Sequence, residues 1–166
     1  MANNIFKRVS VRDFRDREVE KEKIILLLKA AMAAPSANNQ QPWEFIVSTD
    51  RDYIRAASKS SPWAKCVKKA PLLIVLCMRN KGMSAPEFVP QDMGICAENI
   101  LLEAVDLDLG GVYIGLYPDE ELVAKATEII VPDPSLDVFC MIALGYPKMK
   151  RPQKDRYDEA RIHWKP

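Results

Sequence analysis

The segment 90–109, PQDMGICAENILLEAVDLDL, is the longest stretch of this chain with helical periodicity. Its apolar positions cover more than one face of the predicted helix, and they are Met93, Ile95, Cys96, Ile100, Leu101, Leu102, Ala104, Val105 and Leu107. A helix that is apolar on several sides must be buried on several sides. In a chain of 166 residues, this pattern predicts burial against a second subunit. Gly110 and Gly111 follow at the position of a C-cap.

Strands and helices are predicted in mixed order around this segment. The run from Leu72 to Met78 is continuously apolar, which is typical of a central strand buried on both faces. Further strands are predicted at 43–48, 112–117 and 136–144, and further helices at 20–32, at 50–59 and from Pro118 onward. After Tyr146 the periodicity stops, so 146–166 is predicted to be an extended arm. The order indicates an α/β or α+β protein, and periodicity alone does not distinguish the two.

Composition narrows the class of protein. Hydrophobic residues make up 48% of the chain, which excludes broad disorder, and the length suits one domain spanning 1–166. The net charge of +1, with no strongly basic region, argues against a nucleic-acid partner. No apolar run reaches the roughly 20 residues that span a bilayer, and no signal peptide is recognisable. We therefore expect a cytoplasmic protein without a membrane partner.

Cysteine and histidine are placed unfavourably for a metal site or an activated nucleophile. Cys66, Cys77, Cys96 and Cys140 are far apart, and the last three lie in apolar segments typical of buried thiols. The chain has one histidine, His163, and no G-x-S-x-G motif that would present a nucleophilic serine. We expect no metal and no catalytic triad.

The phosphate of a bound nucleotide would have to be held by side chains. The chain has six glycines and neither a G-x-G-x-x-G motif nor a P-loop. Arg8, Ser10 and Arg12 alternate, and in an extended segment alternate residues point the same way, so two guanidinium groups and a hydroxyl can address one anion. Lys154 and Arg156 repeat this spacing near the other end. Taken alone, such pairs are more typical of a solvated basic surface.

The motifs in combination resemble those of the FMN-dependent nitroreductase family. The most specific is APSANNQQPW at 34–43, which is similar to the family's A-P-S-x-x-N-x-Q-P-W loop. RVSVRDF at 8–14 resembles the family's R-x-S-x-R/K-x-F signature. The remaining matches follow in the right order at 92–104, 110–118, 143–147 and 154–156. The resemblance covers nearly the whole chain.

The resemblance implies a mixed, mostly antiparallel sheet flanked by helices, in an intertwined homodimer with two FMN sites at its interface. One subunit would contribute Arg8, Val9, Ser10, Arg12, Gly115, Lys154 and Arg156. The partner subunit would cover the flavin with Pro35, Ser36, Ala37 and Asn39. Within the first set, Arg8, Lys154 and Arg156 would hold the phosphate. Arg12 and a backbone N–H near Gly115 would tune the flavin, and the arm 146–166 would dock on the partner.

The activity implied is transfer of hydride from NADH or NADPH and reduction of a small electron acceptor, such as a nitroaromatic or a quinone, in ping-pong order. A flavin-dependent dehalogenase or oxidase on the same scaffold, and a flavin-binding protein without turnover, remain open alternatives. The chain departs from many relatives at Val9, where the contact to flavin would be through the backbone, and in its brief connection between Met78 and Pro90. That short connection predicts an open site.

Overall fold

The computed structural model describes residues 4–131, 133–149 and 151–165. The predicted domain 1–166 and the predicted arm 146–166 therefore include positions 1–3, 132, 150 and 166 that lie outside the described residues. The helices are α1 (Lys21–Met32), α2 (Arg51–Ala57), α3 (Val89–Asp106) and α4 (Glu120–Ile130). The strands are β1 (Trp43–Ser48), β2 (Leu72–Arg79), β3 (Gly110–Gly115) and β4 (Leu136–Gly145). Most boundaries lie within two residues of those predicted.

The four strands form one sheet in the order β1-β2-β4-β3, and every pair of neighbours is antiparallel. A parallel bridge between Ser10 and Gly111 lays the N-terminal segment along the β3 edge. The prediction of a mixed, mostly antiparallel sheet flanked by helices is confirmed, with this bridge as its parallel element.

Helices cover both faces of the sheet, which explains why β2 is apolar at successive positions. Leu72, Ile74 and Leu76 pack in a cluster with residues of α1 and α3. Leu73, Val75 and Cys77 point the other way, into a cluster with residues of α2 and α4.

The cysteines of the core behave as small hydrophobic residues, as predicted. Cys77, Cys96 and Cys140 are buried, and all four cysteines of the chain are free thiols. Burial raises the pKa of Cys77 and of Cys96 to about 12, and it raises the pKa of Cys140 as well. These thiols therefore stay protonated and unreactive at neutral pH.

The prediction that Gly110 and Gly111 cap α3 is wrong. The helix ends at Asp106, and Asp108 takes the left-handed conformation with φ of 59°. Both glycines instead begin β3. A side chain at Gly111 would lie 2.9 Å from methyl groups of both Leu101 and Leu144, so close packing between α3 and the sheet, and not a helix end, requires glycine there.

Pro118 likewise precedes α4 instead of starting it. Asp119 is the N-cap, and its carboxylate accepts the Leu122 N–H at 3.0 Å. Within the described residues, none of the helices combines the length and apolarity that crossing a bilayer requires.

Candidate flavin site

The N-terminal segment presents a row of predicted site residues along the edge of the sheet. The Val11 N–H donates to the Gly111 carbonyl at 2.9 Å, which holds residues 8–12 extended beside β3. Ser10 and Arg12 are exposed, whereas Val9 and Val11 are half-buried and line a cavity of about 890 Å³ on the other side of the segment. The alternation therefore separates the polar row from the valines, as the spacing predicts.

Arg8 already has an anionic partner within the chain. Its Nε lies 3.1 Å from a carboxylate oxygen of Glu98 on α3, with the Arg8 side chain 20% exposed and that of Glu98 50% exposed. This ion pair holds the guanidinium partly buried beside α3. Glu98 was not predicted as the partner of Arg8. An exposed carboxylate on a helix has no local sequence pattern that would link it to a residue ninety positions earlier.

The C-terminal arm returns to the same place. The Gln153 side chain donates to the carbonyls of Ile5 and Arg8, at 3.1 Å each. Lys154, the next residue, and Arg156 are both exposed on this arm. The structure thus joins the C-terminal arm to the N-terminal segment through Gln153, which is 145 positions from Arg8. Lys154 follows Gln153 directly, so the arm carries this cation towards the N-terminal segment, and an anionic group could be held there.

Gly115 ends β3 with its backbone directed away from the sheet. In an antiparallel ladder, residues alternate between facing the neighbouring strand and facing outward. The Gly111 carbonyl faces outward to Val11, and the Leu116 N–H faces inward to the Phe139 carbonyl at 3.4 Å. Counting alternate residues from Gly111 puts the Gly115 N–H on the open edge, on the same side as the N-terminal segment, and the ladder becomes irregular just after it, where the Tyr117 N–H also donates to the Phe139 carbonyl at 3.1 Å. A backbone donor is therefore available where the sequence predicts contact with the flavin.

The loop 35–42 is held in an unusual backbone conformation. Asn38, Asn39 and Gln41 all have positive φ, between 46° and 52°. A left-handed conformation costs most residues roughly 1–2 kcal/mol, here Gln41, whereas asparagine adopts it more readily. The Asp92 carboxylate on α3 offsets this cost, because Oδ1 accepts the Ala37 N–H at 3.0 Å and Oδ2 accepts the Gln40 Nε2 at 2.7 Å. Asp92 is only 3% exposed.

Two side-chain donors of the same loop are not used by the loop's own hydrogen bonds among the described residues. The Ser36 hydroxyl oxygen accepts the Gln41 N–H at 3.0 Å, and the Asn39 side-chain oxygen accepts the Gln41 Nε2 at 2.9 Å. The Ser36 O–H and the Asn39 amide NH₂ therefore remain able to donate to a ligand, as far as the described residues show. The Ala37 N–H is already used by Asp92, so Ala37 can contact a ligand only through its other atoms.

The two predicted groups of site residues lie apart within one chain. The loop contacts α3 at Asp92, whereas Arg8 contacts α3 at Glu98. These two helix positions are six residues apart, so they are separated by about 9 Å along the helix axis and lie on different faces. Among the described residues, no hydrogen bond or ion pair joins 35–39 to 8–12, 115 or 154–156. The two groups therefore form separate clusters in the described part of the chain.

Three residues that organise the loop were missed by the sequence analysis as functional candidates. They are Gln40, Arg79 and Asp92. One signal was present, because Asp92 lies beside Met93 on the buried side of the helix, where the other residues are apolar. A carboxylate in such a place must be hydrogen-bonded.

A protein-family model and a sequence relative both match most of this chain. The family model described as "Nitroreductase family" matches residues 5–65 and 51–146. An Archaeoglobus fulgidus protein, provisionally named NADH dehydrogenase/NAD(P)H nitroreductase, is 38% identical over 96% of this chain and 94% of its own.

Solved structures show the same fold. A provisionally named NADH oxidase from Clostridium acetobutylicum has a TM-score of 0.93 at 48% identity, covering 96% of this chain and 97% of its own. An FMN-dependent nitroreductase from Clostridium difficile has a TM-score of 0.89 at 29% identity, covering 99% and 98%. The chain belongs to the nitroreductase family.

Proposed function

We propose that this protein is an FMN-dependent oxidoreductase that takes hydride from NADH or NADPH and reduces a small electron acceptor in ping-pong order. One observation carries the proposal. A row of Arg8, Ser10 and Arg12 runs beside the same sheet edge that exposes the Gly115 N–H, and the arm carrying Lys154 is tied to it. The Clostridium difficile relative is described as FMN-dependent, and the Archaeoglobus relative by NAD(P)H.

The residues present fit FMN in charge and in hydrogen-bonding capacity. Arg8, Lys154 and Arg156 supply the cations for a phosphate. Arg12 supplies positive charge beside the flavin ring, where it would stabilise the negative charge of the reduced form. Bound FMN supplies the transfer of hydride and electrons between the two substrates. The chain's own contribution is to bind, to orient and to stabilise charge.

The proposal includes a homodimer, because no hydrogen bond or ion pair joins the two predicted groups of site residues within the described part of one chain. Ser36 and Asn39 of one copy would then donate hydrogen bonds to the flavin held by the basic residues of the other. A surface for this contact exists on α3, where Ile95 is 41% exposed and the neighbouring Gly94 has open space above it. The arm 146–166 would dock on the partner through exposed aromatic side chains, among them Trp164 at 83% exposure.

The proposal treats 1–166 as a single domain working in the cytoplasm. NAD(P)H as electron donor and four free cysteines support a reducing compartment. Acceptor identity depends on a few pocket side chains, and nitroaromatics or quinones are the first candidates. Dioxygen is the second candidate, because the Clostridium acetobutylicum relative is named an NADH oxidase.

The decisive experiment begins with the colour of the purified protein. We expect it to purify yellow, to release FMN on denaturation, and to be bleached by NADH or NADPH without oxygen. Reoxidation by nitroarenes, quinones, halogenated phenols and oxygen then ranks the acceptors. Parallel lines in double-reciprocal plots are expected for ping-pong order. A protein that binds FMN but is not bleached by either nucleotide would be a flavin-binding protein without this turnover.

A further inference from the structure

A partly buried polar network joins three segments around the loop 35–42. Gln40 is at its centre, because its side-chain oxygen accepts the Ala85 N–H at 3.0 Å while its Nε2 donates to the Ala85 carbonyl at 2.9 Å. The same Nε2 donates to Asp92 at 2.7 Å. Arg79, at the end of β2, donates through Nη2 to the carbonyls of Gln40 and Gln41. We refer to Gln40, Arg79, Ala85 and Asp92 as the loop clamp.

Opposite charges lie on the two sides of Gln40 in this clamp. The Asp92 carboxylate meets the Gln40 side chain, and the Arg79 guanidinium meets the Gln40 backbone. Arg79 Nε is buried and has no hydrogen-bond partner among the described residues. A charged group shielded from water is stable only where neighbouring polar groups bond to it. The loop therefore stabilises the charges of Asp92 and Arg79, and these two side chains in turn stabilise the conformation of the loop.

We infer that Asp92 is a positioning residue for the flavin site of the partner subunit. It fixes the loop in its left-handed conformation, so that Ser36 and Asn39 direct their remaining donors outward. It also ties the loop, through Gln40, to the connection 80–88 between β2 and α3. The loop 35–42 and the connection 80–88 therefore keep a fixed position relative to each other. This inference rests on the proposed function, because the loop has a ligand to meet only if flavin binds there.

The substitution Asp92→Asn tests this without changing the size of the side chain. Asparagine offers one oxygen and one NH₂ group where aspartate offers two accepting oxygens. If the oxygen faces Ala37, the NH₂ faces the Gln40 NH₂; if the amide is reversed, the NH₂ faces the Ala37 N–H. If the Gln40 amide also turns over, its oxygen accepts from the asparagine NH₂, but both hydrogen bonds between Gln40 and Ala85 are broken. Every arrangement leaves a mismatch of donors or acceptors.

A second substitution supplies the rescue. Gln40→Glu in the Asp92→Asn background gives the asparagine NH₂ an acceptor and keeps an acceptor for the Ala85 N–H. Of the four hydrogen bonds that the side chains at 40 and 92 make in the wild type, only the one to the Ala85 carbonyl is then lost. Gln40→Glu alone places two carboxylates against each other. The clamp therefore predicts that the double variant performs better than either single variant, which independent effects on stability would not produce. Asp106→Asn, an exposed change on the same helix, is the matched control.

The measurements are FMN dissociation from diluted holoenzyme, the visible absorption band of bound flavin, and hydrogen exchange at the Ala37 and Ala85 amides. Loss of one charged hydrogen bond corresponds to roughly ten- to hundredfold in an equilibrium constant, so we expect at least about tenfold weaker FMN retention in Asp92→Asn. We also expect a shifted absorption band, faster exchange at both amides, and partial recovery of all three in the double variant. The Asp106→Asn control should match the wild type.

Two results would overturn the inference while leaving the proposed function intact. One is Asp92→Asn holoenzyme with wild-type FMN retention and absorption despite faster exchange at Ala37. The other is a double variant no better than the worse single variant. A wild-type protein that neither contained FMN nor took it up would overturn the proposed function itself, and this inference with it.

Discussion

Arg8→Ala separates the proposed phosphate contact from the ion pair that Arg8 makes within the chain. In the structure Arg8 is 20% exposed and pairs with Glu98 at 3.1 Å. Because Glu98 is half exposed, losing this pair should cost only about 0.2–1 kcal/mol of folding stability. Losing a charged hydrogen bond to a phosphate should cost roughly 1.5–3 kcal/mol of binding, which is about a 10- to 150-fold rise in the Kd for FMN. The variant should therefore fold nearly normally and bind FMN poorly.

The assay is a titration of flavin-stripped protein with FMN, followed by quenching of flavin fluorescence, with thermal unfolding measured beside it. Arg55→Ala is the control, because Arg55 also forms an ion pair, with Asp52 on α2, and the two side chains there are 65% and 87% exposed. We expect this more exposed pair to contribute no more stability than the Arg8 pair, and the control to bind FMN normally. If Arg8→Ala bound FMN within twofold of the wild type, or lost it only as much as Arg55→Ala, Arg8 would not hold the phosphate.

Three further predictions concern the fold that carries the site. Gly145→Ala should destabilise by at least about 1–3 kcal/mol, because its methyl group would lie 2.6 Å from the buried, rigid Pro71 ring, and denaturant unfolding measures this. Asp119→Ala should cost about 1 kcal/mol in the same assay by removing the cap of α4, whereas Asp119→Asn should cost much less. Hydrogen bonds lower the pKa of Glu20 to about 2 from 4.5. The largest effect comes from the Tyr146 hydroxyl, followed by the backbone of Glu20 itself and by Arg17. The carboxylate therefore adds stability above pH 4.5 that is lost as the pH falls towards 2, and the Tm difference between wild type and Glu20→Gln should shrink over that interval.

The N-terminal arginine row illustrates how far sequence reasoning reaches into the site. Its alternation depends only on the extended backbone, and the structure shows Ser10 and Arg12 exposed and the valines turned inward. The register of that row against Gly111 could not be predicted, because it depends on a bridge between residues a hundred positions apart.

The set of elements follows from the sequence, since each element has a local pattern. The continuous apolar run of β2 requires cover on both faces, and the structure confirms this. The periodicity of α3 predicts burial on several sides, whereas Ile95 is 41% exposed in one chain, so its burial against a second subunit stays a prediction. The tertiary structure alone decided that Gly110 and Gly111 belong to a strand, that Arg8 pairs with Glu98, and that Asp92 holds the loop through Gln40. The physical reason is that hydrophobic periodicity acts over a few residues, whereas buried hydrogen bonds and close packing depend on which distant segments the topology brings into contact.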